Sequence, residues 1–190
     1  MRKGQRLPEI LTDEEVQNLL GSFNKRYENP HKNYVIILLT LNTGMRVSEI
    51  SNLRVEDIDL NSGRIHLKQG KGKKDRILYV SPLVLEEVRS YIERIDIGNK
   101  GFLFTTRTGN KVDINNLNRM VKNYTNKVGI TKHITFHSLR HTLGTKVLKQ
   151  TGNLRIVQKV LGHSHISTTT LYTHLTDEDV ENVMTQELYG

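Results

Sequence analysis

The sequence predicts a mainly α-helical domain carrying one small antiparallel β-sheet, an α+β fold. Three observations lead there. Most apolar residues recur at three- and four-residue intervals, the helical period, in segments that open on capping residues or proline. Only two sizeable stretches alternate at period two, Arg64 to Lys68 and Arg76 to Val80, and they flank a polar loop as the arms of a hairpin do. No linker or internal repeat divides the 190 residues, a length suited to one sizeable domain.

Thr12-Asp13-Glu14-Glu15 has the Thr-x-x-Glu spacing of a capping box and opens a first helix, with Val16, Leu19 and Leu20 at core-facing intervals. A second helix runs through Tyr34 to Leu41 and stops at Gly44, where a left-handed residue costs little. Val47 to Leu53 reads as a short third helix. The hairpin follows, and its loop, Gln69-Gly70-Lys71-Gly72-Lys73-Lys74-Asp75, is unusually basic. Pro82 fits the first turn of a helix reaching about Ile95, with Leu83, Leu85, Val88 and Ile92 available for its inner face. Phe102-Leu103-Phe104 reads as a short strand. Asp113 caps a helix carrying Leu117, Met120, Val121 and Tyr124, and helices from about Ser138 to Lys149 and from Leu154 to Leu161 come next. The last helix begins at Thr176 and takes in Glu178 to Val183.

Composition narrows the function. With 36% hydrophobic and 25% charged residues and three prolines, the chain can build a core, which excludes wholesale disorder. The absence of cysteine removes disulfide scaffolds, thiol nucleophiles and thiolate zinc sites, and fits a reducing interior. The longest apolar run, Val35 to Leu39, is far short of the roughly 18 residues a membrane span needs, so the expected location is the cytoplasm, with no membrane partner.

The net charge is 28 − 20 = +8, with a pI of about 9.7. Its distribution says more. Residues 114–176 contain no Asp or Glu but hold nine of the 28 Lys and Arg and six of the eight histidines. From Asp177 the sign reverses, leaving a body of +13 and a tail of −5. One solvated helix face does not clear acids from so long a stretch, whereas a surface shaped for phosphate does.

Within that stretch, His137 and His141 of His137-Ser138-Leu139-Arg140-His141 are four apart on one helix face. The zinc motif His-Glu-x-x-His needs a glutamate where Ser138 stands, and a third ligand such as His163 would be required, so no metal is expected. Arg140, three positions beyond His137, pairs an imidazole with a guanidinium, which suits an anionic oxygen. Further on, Leu161-Gly162-His163 and Tyr172 are separated by a turn and a short helical piece, close enough to face one site. A tyrosine hydroxyl needs cations or a base to become a nucleophile, and this region has both.

Five blocks together carry a resemblance. Thr43-Gly44-Met45-Arg46-Val47-Ser48-Glu49, Gly70-Lys71-Gly72-Lys73-Lys74, His137-Ser138-Leu139-Arg140-His141-Thr142, Leu161-Gly162-His163 and Thr170-Leu171-Tyr172-Thr173-His174 stand in the order and spacing of the tyrosine recombinase catalytic domain, the phage integrase and Xer-type family. The resemblance implies that fold for residues 11–175, after a linker-like segment 1–10, with an acidic helix over 176–190 that docks on a neighbouring protomer.

It also implies the chemistry of a site-specific DNA recombinase, acting in integration, excision or resolution. Tyr172 attacks a phosphodiester to give a 3′-phosphotyrosyl link and a 5′-hydroxyl. Arg46, Arg140 and His163 hold the phosphate, Lys71 protonates the leaving oxygen, His137 assists, and Glu49 supports Arg46. Lys68, Lys73, Lys74, Arg119 and Lys122 are the expected DNA contacts. No cofactor is implied. The implied partners are double-stranded DNA and, on it, three further copies in a tetramer, the chain being monomeric alone; the source would be bacterial, archaeal or phage.

Some alternatives stay open at this point. Any of the loop lysines could take the place of Lys71, His165 competes with His163, and Tyr189, near the terminus and expected to be exposed, competes with Tyr172. A type IB topoisomerase uses similar chemistry, and a DNA-binding module without catalysis is the third reading. Family members usually carry a helical DNA-clamping domain before this one. Its absence here implies a truncated chain or fragmentary gene product that binds DNA weakly.

Overall fold

The computed structural model describes residues 9–68, 75–96, 98, 100–162, 177–186 and 188–189. Its helices are α1 (Asp13–Gly21), α2 (Glu28–Thr43), α3 (Val47–Asn52), α4 (Pro82–Ile95), α5 (Ile114–Lys127), α6 (Phe136–Thr151), α7 (Leu154–Leu161) and α8 (Asp177–Met184). Between α3 and α4 lie a 3-10 turn, Val55–Asp57, and strands β1 (Ile58–Asp59), β2 (Arg64–Leu67) and β3 (Arg76–Tyr79). The strands form one antiparallel sheet in the order β1-β2-β3. The mainly helical α+β expectation therefore holds.

Helix α2 is the axis of the core. Every residue from Tyr34 to Thr43 is buried, and α4 and α6 pack against it. Its apolar residues wrap all round rather than forming a stripe, the pattern of a helix enclosed by others. Val35, Ile36, Ile37, Leu38 and Leu39 are completely buried, each contributing roughly 1.5–3 kcal/mol of transfer free energy.

The local signals place the helix ends. Thr12 Oγ1 accepts from Glu15 N at 3.1 Å while Thr12 N donates to Glu15 Oε2 at 2.7 Å, completing the capping box of α1. Ser81 caps α4, with Pro82 in its first turn, and Asp113 caps α5 through Asn115 N at 2.8 Å. Helix α2 starts earlier than its apolar run and ends on Gly44 at φ 61°. The glycine is required on two counts. An added Cβ would lie 2.8 Å from Leu161 Cδ2 and 3.0 Å from Leu143 Cδ2, and the left-handed backbone would be strained as well.

Three expectations need correction. Helix α4 buries Val88 and Ile92 as expected and packs Leu85 partly buried on the core, but Leu83 is exposed and Val84 and Tyr91 take the remaining inner positions. Phe102 to Phe104 does not form a strand. Phe102 makes a single bridge to Arg54, and Leu103 and Phe104 enter the core from a loop. The third correction is Tyr189, which is buried rather than exposed, with its carbonyl accepting from Asn42 Nδ2 at 3.2 Å and Lys146 over its ring.

Helix α8 lies on this chain's own β3 and α7, where Val180 and Met184 are buried, and Arg64 reaches Glu181 at 3.4 Å. Among the described residues no helix is long and apolar enough to cross a membrane.

Candidate active site

The site begins where α2 stops. Gly44 turns the chain, Met45 is buried beneath it, and Arg46 takes the N-cap position of α3 with extended backbone angles, φ −71° and ψ 153°. Glu49, at the third position of that helix, reaches back to accept from Arg46 N at 2.6 Å and from Arg46 Nη1 at 3.0 Å. One carboxylate thus caps the helix and orients the arginine. The side chain of Arg46 remains 41% exposed, so its outer edge can meet a ligand.

Arg140 approaches from α6 and is buried, with 4% exposure. Its Nη1 donates to the carbonyl of Gly44 and its Nη2 to the carbonyl of Leu161. Arg46 Nη2 donates to the next carbonyl, that of Gly162, at 3.2 Å. Both guanidiniums are therefore held at the C-terminal end of α7, whose unpaired carbonyls and dipole attract cations. Burial pushes the pKa of Arg140 down to about 10, with Arg46 and Arg76 adding to the effect and Glu49 opposing it. It stays protonated at neutral pH.

A third guanidinium completes the group. Arg76, at the start of β3, donates from Nη2 to Glu49 Oε2 at 2.9 Å. Sequence reasoning passed over it. The signal was present in the strand's alternation, since Arg76 stands two residues before the buried Leu78 and shares its face.

His137 lies one turn before Arg140 on α6 and is exposed. Its Nε2 is 2.8 Å from Nε2 of His141, the rings crossing edge-on at 87°. The shared helix face expected from the four-residue spacing is observed. Among the described residues no group of three or more His, Asp or Glu could hold a metal.

Lys68 is exposed at the end of β2 and joins Arg46, Glu49, Asn52 and Arg54 in lining a depression of about 560 Å³. Arg119 and Lys122 are exposed on α5, Arg119 bonded to Asn116 Oδ1 at 2.7 Å, and no bond among the described residues ties either to the arginine group. Lys71, Lys73, Lys74, His163 and Tyr172 lie outside the described residues. The acid-free stretch is not devoted wholly to a ligand surface. Lys132 pairs with Glu15 at 2.6 Å and Lys146 with Asp13 at 3.0 Å, so two of its cations bind α1 to the body. Tyr189, the rival tyrosine, has its hydroxyl pKa raised by burial, which disfavours the phenolate.

The family model for the phage integrase family matches residues 9–179. The chain belongs to the phage integrase family. The matched span contains every residue singled out for chemistry, from Arg46 to Tyr172. A tyrosine recombinase of Pseudothermotoga lettingae is 37% identical over 186 residues, covering 96% of this chain and 63% of that one. Tyrosine recombinase XerA of Thermococcus kodakarensis is 36% identical over 174 residues, covering 90% and 60%. Among solved structures, the crystal structure of XerA recombinase superposes with a TM-score of 0.77 at 32% identity, covering 97% of this chain and 65% of that one. The XerH recombinase bound to its difH substrate, in a post-cleavage complex, gives 0.73 at 26% identity, covering 84% and 48%. These phage integrase relatives are longer proteins, and the chain spans about three fifths of the length of the curated ones.

Proposed function

We propose that this chain is the strand-cleaving and strand-rejoining domain of a site-specific DNA recombinase. The observation that carries the reading is the convergence of Arg46 and Arg140 on the carbonyls of Leu161 and Gly162, immediately before His163. Family membership and the +13 body support it. So does the likeness to the XerH site-specific recombinase, whose structure holds its difH substrate.

In this reading Arg46, through its exposed outer edge, and Arg140, through the N–H groups its carbonyl bonds leave over, bind the two non-bridging oxygens of a phosphodiester. Tyr172 Oη attacks phosphorus, forming a P–O bond to tyrosine as the bond to the 5′-oxygen breaks. The tyrosine proton passes to His137 or to water, and the departing 5′-oxygen takes a proton from Lys71. Negative charge on the phosphoryl oxygens rises at the pentavalent stage, where fixed cations each contribute on the order of 3 kcal/mol. The reverse reaction, attack by a 5′-hydroxyl on the phosphotyrosine, rejoins a strand and restores the phenol. Since the covalent link conserves the energy of the broken ester, no nucleotide is consumed. Glu49 keeps Arg46 in place, and Lys68, Lys73, Lys74, Arg119 and Lys122 bind backbone phosphates flanking the cut. Recombination of two duplexes calls for four active sites, hence a tetramer assembled on DNA.

The test is a pool of nicked duplexes of randomised sequence, from which denaturant-resistant protein–DNA adducts are captured and sequenced. The chain is expected to yield an adduct enriched for a particular site. Tyr172→Phe should abolish the adduct and leave non-covalent binding intact. An adduct that survives Tyr172→Phe would overturn the assignment of the nucleophile.

A further inference from the structure

The direction of Arg76 is set by the sheet. Leu67 pairs with Arg76 across the β2–β3 ladder, and Leu67 with Ile65 forms the buried face of β2. Paired residues share a face, so the strand period sends Arg76 inward alongside Leu78. The neighbouring Ile77, which faces outward, is exposed. A cation thus occupies a core-facing position that the pattern would otherwise give to an aliphatic residue.

Its surroundings are costly for a charge. The side chain is 14% exposed, and Nε is buried without a hydrogen-bond partner. Burial depresses its pKa below the usual guanidinium range; Glu49 opposes the shift and Arg46 adds to it. Among the described residues Glu49 is the one carboxylate bonded to Arg46 and Arg76, while Arg140 relies on carbonyls. A buried guanidinium with an unpaired N–H is a poor stabilising device, because desolvation offsets its ion pair. Its placement has another consequence.

Arg76 touches both groups that direct Arg46. One is Glu49, whose second oxygen it bonds. The other is Gly162, whose carbonyl receives Arg46 Nη2. Gly162 has φ +62°, and an added Cβ would fall 2.6 Å from Arg76 Nη1 and 3.0 Å from Cζ. The guanidinium fills the space where any other residue would carry its Cβ. The glycine of Leu161-Gly162-His163 is therefore explained by two demands, a left-handed cap for α7 and a seat for Arg76.

We propose that Arg76 is a positioning residue for the anion clamp: by bonding Glu49 and filling the space beside Gly162, it sets where Arg46 points and where the Gly162 carbonyl lies. The proposal rests on reading Arg46 and Arg140 as that clamp. Arg76 itself does not meet the phosphate. It acts through the carboxylate and the backbone turn, and its planar fork does what a lysine ammonium cannot.

The experiment measures affinity for inorganic phosphate by NMR titration, together with urea denaturation, on the full chain and four single variants, Arg46→Ala, Arg76→Lys, Arg76→Ala and Gly162→Ala, and on the Arg76→Ala/Gly162→Ala double variant. Arg46→Ala should lose phosphate binding. Arg76→Lys keeps the charge, yet should weaken phosphate about tenfold, as loss of an outer-shell partner does, with a urea midpoint no lower than that of the parent. Gly162→Ala leaves every charge in place and should weaken phosphate to a similar degree. In the Arg76→Ala background the clash is gone and only the left-handed strain remains, so Gly162→Ala should cost less phosphate affinity there than it does in the parent. If Arg76→Lys and Gly162→Ala bind phosphate as the parent does while Arg46→Ala does not, Arg76 only fills space and the inference falls. If Arg46→Ala binds as tightly as the parent, the clamp reading itself falls.

Discussion

At the scale of single residues, the site depends on guanidiniums that bond in two directions at once. Arg140 spans from Gly44 to Leu161, joining the end of α2 to the end of α7, and no ammonium can make both bonds in that fixed geometry. Arg140→Lys should therefore lower the rate of adduct formation by roughly a hundredfold, the usual effect of removing one aligned donor to a developing oxyanion, while DNA affinity changes little. The same variant should lower stability by about 1–3 kcal/mol, because one buried carbonyl loses its donor. Single-turnover cleavage and urea denaturation measure the two effects separately. Wild-type cleavage in Arg140→Lys would show that charge alone suffices there.

At the scale of elements, α6, which carries Arg140 and His137, leans on α2, and the α2–α4 contact contains a titratable weak point. His31 of α2 is buried, edge-on to Tyr91 of α4 at 5.5 Å, with both ring nitrogens lacking hydrogen bonds. Glu87 Oε2 stands 3.7 Å away, and Lys25 and Arg94 also act on the ring. Burial lowers the His31 pKa from its ordinary 6.5, Arg94 and Lys25 lower it further, and Glu87 opposes them. Below that value the unfolded chain binds a proton that the folded chain does not, so stability falls as the pH drops through about 6.5 and levels only below the folded pKa. His31→Phe keeps the ring contact and removes the proton site. Urea midpoints at about pH 7 and about pH 5 should converge in His31→Phe relative to the parent. An equal fall in both proteins would place the acid sensitivity elsewhere.

Elements also show how far sequence reading reached. The capping box at Thr12, Pro82 in the first turn of α4, and the Asp113 cap all fell where expected, because a helix start involves residues two or three apart and its geometry is local. Leu83 and Phe102 to Phe104 were misplaced for the opposite reason. Which side of an amphipathic helix meets the core, and whether an apolar triplet pairs or simply inserts, depends on neighbours distant in the chain. Tyr189 was expected to be exposed from its place near the terminus, yet Asn42 and Lys146 draw it into the body.

For the whole molecule, charge is divided between two roles. The +13 body presents Lys68, Arg119 and Lys122 to solvent, while Lys132 and Lys146 are engaged with α1. DNA binding that rests on such exposed cations releases counterions, and each phosphate neutralised adds about −0.9 to the slope of log affinity against log salt. Affinity for a nicked duplex should fall at least about tenfold between roughly 50 and 200 mM salt, and Arg119→Ala with Lys122→Ala should make the slope shallower by about two. An unchanged slope in that double variant would remove α5 from the DNA-facing surface.

The sequence by itself determined which segments are helical, the caps at Thr12, Gly44 and Asp113, the two hairpin strands, the uneven charge, and the ordered motifs that mark the phage integrase family. Those features are set by residues within a few positions of one another, or by composition, and both can be read along the chain. Only the tertiary structure decided that Arg76 bonds Glu49 and that the carbonyls of Leu161 and Gly162 hold the two arginines. The partners are 27 residues apart in Arg76–Glu49, 116 in Arg46–Gly162 and 96 in Arg140–Gly44. Contacts of that separation come from packing around α2, and no local propensity encodes them.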